Sequence, residues 1–326
     1  MRPAAARRQR GVAMIIALVI VALATVLAWK VGFDSFLERQ RTLAILSVEQ
    51  AMQFGLGAEA LAADVLSRQL QQTPQVNLAQ PWAQASPAIP ITPAEAADGP
   101  PIGTLQGSIQ DMDGRFNLNN LGHLLPNGTE DPAPLLLFQR LLVAAHLEPK
   151  WAGIARDWID ADHTPSQPYG AEDDVYTRLT PPYWTGNWPM TSPTELMALP
   201  GFGRNRYLAI EPYVTALPTA IAKINICTAP ALVLDSLANL PGEYSSDPSA
   251  LTAGRKSGCF PDLSTFQATV GPATWAQIQN MVTDQGSYFR LTTRVRLGTA
   301  EFTLYSLLQR GSDGKVVPLL RSFGTL

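Results

Sequence analysis

The sequence predicts an α+β fold in which a long N-terminal helix packs on an antiparallel sheet and a large α-helical domain is inserted between the strands. Three patterns support this prediction. Residues 12–71 form one continuous helical stretch, and residues 102–118 and 288–322 alternate as strands joined by glycine-containing turns. Between these strands, residues 134–146 and 151–159 have helical spacing, so a helical part interrupts the sheet.

The composition excludes several classes of protein. The 326 residues carry a net charge of −3, which argues against nucleic acid as the main ligand. Charged residues make up 16% of the chain, below the roughly 25% that is usual for soluble domains. Proline and glycine are frequent but follow no repeat, which excludes collagen and coiled coil. Two cysteines are too few for a disulfide-dense scaffold or a four-thiolate zinc site.

The N-terminus predicts a single membrane crossing. Four arginines and no acidic residue lie in the first ten positions, and Gly11 follows them. Residues 12–29 are uncharged and span about 27 Å as a helix, just enough for the hydrocarbon core. Because basic residues stay on the cytoplasmic side, we expect the rest of the chain to lie outside the cytoplasm.

Three kinds of N-terminal segment fit parts of this pattern: a cleaved secretory signal, a plain signal anchor and a type IV prepilin leader. The prepilin leader fits best, because a short basic leader and a glycine precede an apolar helix that continues beyond the membrane. A membrane peptidase would then cut between Gly11 and Val12. Prepilins usually carry Glu at the fifth mature position, where this chain has Ile16. A subunit with no neighbour above it does not need that buried carboxylate, although the Glu could also be absent by chance.

Beyond the membrane, a small-to-apolar stripe predicts the helix face that packs on the domain. The stripe consists of Ala44, Ser47, Ala51, Phe54, Ala58, Leu61 and Val65. The alternative is two helices broken near Gly32. Residues 73–101 are rich in proline and predict an extended linker or a surface loop.

An acidic loop follows the second predicted helix of the middle region. Six carboxylates lie within eighteen positions: Asp157, Asp160, Asp162, Glu172, Asp173 and Asp174. Oxygen-rich loops suit a hard cation such as Ca²⁺, although the spacing is not that of an EF-hand. Only His163 lies among them, so zinc is not expected. A solvated acidic loop and a glycosidase carboxylate pair remain alternatives.

Residues 194–206 and 224–242 are similar to helix-hairpin-helix segments, which in DNA-binding proteins contact phosphates. Arg204 and Arg206 would permit this in the first segment, but the second has Glu243 in place of the second hairpin glycine. We therefore favour a structural role for both segments. No Ser-His-Asp, GxSxG or HExxH pattern occurs, so we predict no enzymatic activity. Cys227 and Cys259 lie outside the cytoplasm and are expected to form a disulfide, with two buried free thiols as the alternative.

Several motifs, in this order, resemble the general secretion pathway protein K family, the large minor pseudopilin of type II secretion systems. They are RQRGVAMIIALVIVALATVLA, DMDGRFNLNNL, DWIDAD with GAEDDVY, SPTELMALPGF, INICTAP and SYFRLTTRVRLG. The resemblance implies a type IV pilin-like fold, cleavage after Gly11 by the prepilin peptidase and N-methylation of Val12. It also implies a periplasmic pseudopilus tip shared with minor pseudopilins I, J and H above the major pseudopilin G. The helical insertion would cap this tip, which starts assembly and pushes exoproteins towards the secretin.

The resemblance further implies a structural Ca²⁺ ion held by Asp160, Asp162, Glu172 and Asp173, with Asp174 and Asn187 as additional ligands. One departure is Cys227, which stands where the INxNTA pattern usually has Asn, so the bridge to Cys259 would be a subfamily feature. The alternative functions are a membrane-anchored DNA-uptake protein, a type IV pilus tip protein and a calcium-dependent hydrolase. The predicted domains are the leader 1–11, the transmembrane segment 12–29, the pilin-like parts 30–118 and 286–326, and the inserted helical domain 119–285.

Overall fold

The computed structural model describes residues 9–84, 86–92, 99–238, 249, 252–253, 255 and 258–324. The helices are α1 (Gln9–Gln72), α2 (Pro132–Ala144), α3 (Trp151–Asp157), α4 (Asp173–Tyr176), α5 (Gly203–Ile210), α6 (Ala231–Ala238) and α7 (Leu263–Ile278). The strands are β1 (Ile89–Ile91), β2 (Gly103–Asp111), β3 (Phe116–Asn117), β4 (Val214–Thr215), β5 (Ile224–Asn225), β6 (Val282–Thr283), β7 (Tyr288–Leu297), β8 (Ala300–Arg310) and β9 (Val316–Phe323). Most of the predicted leader and of the second hairpin turn lies outside the described residues.

Helix α1 is one unbroken helix of 64 residues, which confirms the single-helix prediction and excludes a break at Gly32. At 1.5 Å per residue it is about 96 Å long. Its N-terminal part is apolar and exposed, and it is long and apolar enough to cross a membrane. Its C-terminal part packs on the sheet, so one helix contains both the apolar segment and the part that contacts the sheet.

The main sheet has five antiparallel strands in the order β1-β2-β7-β8-β9. Strand β7 pairs with β2 from Leu297↔Gly103 to Phe289↔Asp111 and with β8 from Leu297↔Ala300 to Tyr288↔Gln309. This confirms the predicted strands at 102–110, 288–297, 300–309 and 316–322. Because side chains alternate across a strand, Phe289, Leu291 and Val295 form one buried row of β7.

The face of α1 that packs on the sheet differs from the predicted stripe. The buried positions are Ala51, Gly55, Glu59, Ala63, Leu66 and Leu70. Gly55 shows why, since a Cβ at this position would lie 3.2 Å from the Phe302 ring. The small residues let the helix approach the sheet closely. Of the predicted stripe Ala51 is buried, whereas Phe54, Leu61 and Val65 are exposed, so the prediction for these three is wrong.

The proline-rich segment also differs from its prediction as a linker or surface loop. Strand β1 pairs with β2 and forms one edge of the sheet, where Pro90 is tolerated because an edge strand has unpaired N–H positions. Upstream of β1, Trp82 is buried and packs edge-on against Phe289 with ring centroids 5.6 Å apart. The segment therefore completes the sheet and its core.

Between β2 and β7 the chain forms a separate α-helical part, which we call the helical domain. Helices α2 and α3 confirm the helices predicted at 134–146 and 151–159. Its core contains the stacked rings of Phe116 and Phe138, and Phe202 packs there against Trp151. Two short parallel pairs, β3 with β4 and β5 with β6, hold its distant segments together.

Two buried aspartates from the DMDG motif join the helical domain to the sheet. The Asn225 side-chain amide and the Thr228 hydroxyl donate to Asp111 Oδ2 over 2.7 Å and 2.6 Å. The backbone N–H groups of Ser287 and Tyr288 donate to Asp113 Oδ2. Burial raises the pKa of both carboxyls, and the neighbouring Asp111 charge raises the pKa of Asp113 further. The motif therefore connects β2, the INICTA segment and the start of β7.

Cys227 and Cys259 form a disulfide with Cα atoms 4.6 Å apart, which excludes the free-thiol alternative. The bond connects the segment between β5 and α6 to the segment before α7 across a sequence separation of 32. Closing a loop of this length restricts the unfolded chain and stabilises the fold by about 3 kcal/mol.

We expect Cys259→Ala to lower the free energy of unfolding by about 3 kcal/mol. The change is made at Cys259 because Cys227 is fully buried. Urea unfolding monitored by circular dichroism measures the effect. A reductant should shift wild type to the midpoint of the variant and leave the variant unchanged. An unchanged midpoint of reduced wild type would show that the bond adds no stability.

Candidate cation site and family of the chain

Asp157 at the end of α3 organises the acidic loop. Its buried carboxylate accepts backbone N–H bonds from Ser166 at 3.1 Å and from Ala171 at 2.7 Å. The loop passes so close that a Cβ on Gly170 would lie 2.3 Å from Asp157 Oδ2. Asp157 therefore uses its oxygens to fold the loop, and the glycine of the GAED motif is required by this close approach.

Several buried oxygens of this loop, and one of Asn187, have no hydrogen-bond partner among the described residues. They are Oδ1 of Asp160, both carboxylate oxygens of Glu172 and Oδ1 of Asn187. Glu172 is only 3% exposed. Buried polar atoms are normally paired, because an unpaired one costs about 1–3 kcal/mol and a charged one costs more. These oxygens therefore remain available to accept hydrogen bonds or to contact a cation.

The electrostatics of the loop agree with this interpretation. Burial, and then the charges of Asp157 and Asp162, raise the pKa of Asp160 to about 7. Burial, and then the charges of Asp157 and Asp160, raise the pKa of Glu172 to about 7. Burial and the neighbouring charges thus disfavour the ionised form of each carboxyl, and a bound cation would favour that form.

Glu130 joins this group and was not predicted from the sequence. Ligand atoms of Glu130, Asp160 and Asp162 lie within 4.8 Å of one another. Glu130 comes from the segment before α2, far from the acidic loop in sequence, and also forms a 2.6 Å ion pair with Arg156. No local pattern marks Glu130, because only the packing of α2 on α3 brings it to the loop.

The other predicted ligands are placed differently. Asp173 Oδ1 accepts from the Thr185 backbone N–H at 3.0 Å and from its hydroxyl, and the Asp173 charge acts on Glu172. Asp174 is exposed and lies 3.5 Å from Arg178. Asn187 lines the same cavity as Asp160 and Asp162. The unpaired atoms of Asp160, Glu172 and Asn187 are carboxylate and amide oxygens, so the residues present fit a hard cation such as Ca²⁺.

In the first helix-hairpin-helix segment Arg206 makes contacts within the protein, whereas Arg204 is exposed. Arg206 donates to the carbonyl oxygens of Gly201 and Phe202 at 2.9 Å and 3.0 Å. Its guanidinium also lies 5.1 Å from the centre of the Trp151 ring. These contacts close the turn before α5 and support the structural role. The absence of nucleic-acid binding stays a prediction.

An N-terminal helix that is long and apolar enough to cross a membrane and then packs on an antiparallel sheet defines a pilin-like protein. Residues 114–219 match the family described as type II secretion system (T2SS), protein K. Type II secretion system protein K of Aeromonas hydrophila is 31% identical over 338 residues, covering 98% of this chain and 98% of the relative. This chain belongs to the type II secretion system protein K family.

Two further proteins support the assignment. Type II secretion system protein K of Pectobacterium carotovorum is 33% identical over 332 residues, covering 97% of each chain. A chain of the GspK-GspI-GspJ complex from the enterotoxigenic Escherichia coli type 2 secretion system has 25% identity and a TM-score of 0.75. That likeness covers 88% of this chain and 100% of the other. The likeness confirms the pilin-like fold with an inserted helical domain.

Proposed function

We propose that this protein is the non-enzymatic minor pseudopilin at the tip of a type II secretion pseudopilus. It starts tip assembly with minor pseudopilins I and J, followed by H and the major pseudopilin G, and helps to drive exoproteins towards the secretin. Before assembly it is held in the bacterial inner membrane by residues 12–29, with the rest in the periplasm. The observation that supports this most directly is an unpartnered apolar face on α1.

This face, which we call the outer stripe, consists of Phe54, Ala58, Leu61 and Val65. Phe54, Leu61 and Val65 are 39%, 62% and 44% exposed. At about 100° per residue, these positions lie on one side of α1, away from the face that contacts the sheet. An exposed apolar helix face is suited to packing against another helix. Because a GspK chain has been solved with GspI and GspJ, we assign the outer stripe to the helices of pseudopilins I and J.

We expect Leu61→Asp to weaken co-purification with the coexpressed pseudopilins I and J by at least about tenfold, because the interface would bury an unpaired charge. Gln53→Asp, which adds the same charge at an exposed position on another side of α1, is the matched control. If a folded Leu61→Asp variant keeps the complex, the outer stripe is not part of the interface. Absence of a complex with wild type would contradict the proposed function itself.

The proposal includes processing of the N-terminus. Gly11 and Val12 lie in the first turn of α1, where Val12 begins the apolar segment. We expect the prepilin peptidase to cut between them and the new Val12 amine to be methylated. Mass spectrometry of protein purified from membranes should give a chain that begins with N-methylated Val12. Protein that begins at Met1 and still supports normal secretion would overturn this part of the proposal.

We also propose that the acidic loop holds a structural Ca²⁺ ion. Asp160, Glu172 and Asn187 supply the unpaired oxygens, and Asp162, Asp173 and Glu130 complete the negative surroundings. The ion would neutralise the repelling carboxylates and connect the loop to the segment that carries Asn187. Its role in the fold is therefore to fix the loop, with no part in a reaction.

A further inference from the structure

A cleft between the sheet and the helical domain carries two arginines that the functions above do not use. Arg290 lies on β7, on the side of the sheet opposite to Phe289 and therefore away from α1. Arg115 follows the DMDG turn, and Tyr207 and Glu211 enter the cleft from α5 and the turn after it. Tyr305 of β8 completes the wall.

The two guanidinium groups carry positive charge that is not neutralised. No carboxylate of the described residues lies within 4 Å of either group. Arg115 donates to the Glu211 backbone carbonyl at 3.3 Å, and Arg290 donates to the Gln110 side chain at 2.6 Å. Nε of Arg290 is buried and has no acceptor among the described residues. Burial and the charge of Arg290 lower the pKa of Arg115, so the pair repels itself across the cleft.

The chemistry of the cleft matches a carboxylate. Arginine presents a planar set of N–H donors that fits a carboxylate with two hydrogen bonds. Thr191, Ser192 and Thr194 line the same cleft, where the Thr191 hydroxyl donates to Glu195 and the Ser192 and Thr194 hydroxyls bond to each other. Glu211 lines the same cleft and its charge acts on both arginines, so one carboxylate faces two positive charges there.

The position of the cleft excludes a lipid headgroup as its partner. Phe289, the neighbour of Arg290, packs in the same cluster as Leu66 of α1. Leu66 lies 37 residues beyond the end of the apolar segment, a distance of about 55 Å along the helix. A bilayer that holds residues 12–29 is therefore out of reach, which favours a polypeptide as the source of the anionic group.

We propose that this cleft is a docking site for an acidic segment of a polypeptide partner, whose carboxylate lies between Arg115 and Arg290. The site requires only the folded chain, so it does not depend on the position of the protein at a tip. The two arginines without an ion-pair partner among the described residues and the unpaired Nε of Arg290 are the observations that select this partner.

Fluorescence anisotropy with the full-length chain in detergent micelles tests the proposal. The probe is a fluorescein-labelled hexa-aspartate peptide, and a hexa-asparagine peptide is the uncharged comparison. We expect saturable binding of the acidic peptide and a loss of affinity of at least about tenfold in Arg115→Met and in Arg290→Met. Arg296→Met is the matched control, because Arg296 lies on the same strand, is exposed and pairs with Glu301.

A second measurement needs no substitution and applies even if a variant does not fold. Phenylglyoxal modifies accessible arginines, and mass spectrometry then locates the modified positions. Hexa-aspartate should protect Arg115 and Arg290 of the wild-type chain and leave Arg296 reactive. Equal binding of both peptides, full affinity in either folded variant, or absence of protection would each overturn the proposal.

Discussion

Glu172→Gln should remove most of the thermal stabilisation that Ca²⁺ gives this protein. In wild type the two Glu172 oxygens are buried without hydrogen-bond partners, and a bound cation would supply the missing charge. A ligand that binds only the folded state at one hundred times its dissociation constant stabilises by about 2.7 kcal/mol. Differential scanning fluorimetry of the full chain, with Ca²⁺ and with a chelator, measures this shift. The variant should show little of it.

Asp174→Asn is the matched control, since Asp174 is exposed and lies beside Arg178. We expect this variant to keep the full Ca²⁺ shift. In the chelator, Glu172→Gln should be at least as stable as wild type, because it removes a buried charge that its neighbours repel. If the melting temperature of wild type does not change with Ca²⁺, the proposed metal site is wrong. If Glu172→Gln shows the full shift, Glu172 is not a ligand.

Glu59→Ala should destabilise the packing of α1 on the sheet by about 2–4 kcal/mol. Glu59 is 3% exposed, and Arg321 of β9 donates to it from Nε at 2.9 Å and from Nη2 at 2.6 Å. Ser306 of β8 donates a further short hydrogen bond. Removing the carboxylate therefore leaves a guanidinium and a buried hydroxyl without their acceptor. Urea unfolding at neutral pH measures the change, and Glu49→Ala, at an exposed position of the same helix, is the control.

The effect should also depend on pH. Burial alone would raise the pKa of Glu59, but the hydrogen bonds of Arg321 and Ser306 and the Arg321 charge outweigh it, so the pKa is lowered. A lowered carboxyl pKa contributes stability that is complete above the unfolded value, about 4.3. That contribution is lost as the pH falls through the folded value. Wild type and Glu59→Ala should therefore converge in strong acid. A gap that stays constant down to pH 2 would show that Glu59 acts through packing alone.

The sequence was most informative where one local pattern decides the structure. The uncharged run and the helical pattern that continues beyond it predict a single α1, and alternation predicts β7 and β8. The face of α1 was not predictable in this way, because small and large apolar residues share the helix. Close approach to the Phe302 ring selects Gly55 and its neighbours. Strand β1 is three residues long and contains Pro90, so its pairing depends on the neighbouring β2.

The functional sites show the same limit. The acidic loop can be recognised in the sequence, but the sequence does not show which carboxylates fold the loop and which keep unpaired oxygens. Asp157 folds the loop, Asp160 and Glu172 retain unpaired oxygens, and Glu130 arrives from another segment. Arg115 and Arg290 are 175 positions apart and meet only because the sheet closes against the helical domain. Residue type predicted the chemistry of the loop, whereas tertiary packing determines which atoms remain available.

Residues 30–50 of α1 stand between the apolar segment and the first sheet contact at Ala51, and their surface is almost entirely exposed. As a helix they measure about 30 Å. This part of α1 therefore separates the globular part from the apolar segment by a distance that depends on the number of its residues. Removing seven residues from this part of α1 would bring the globular part about 10 Å closer to the apolar segment and rotate it by only about 20°. The distance and the orientation of the globular part can therefore be varied almost independently.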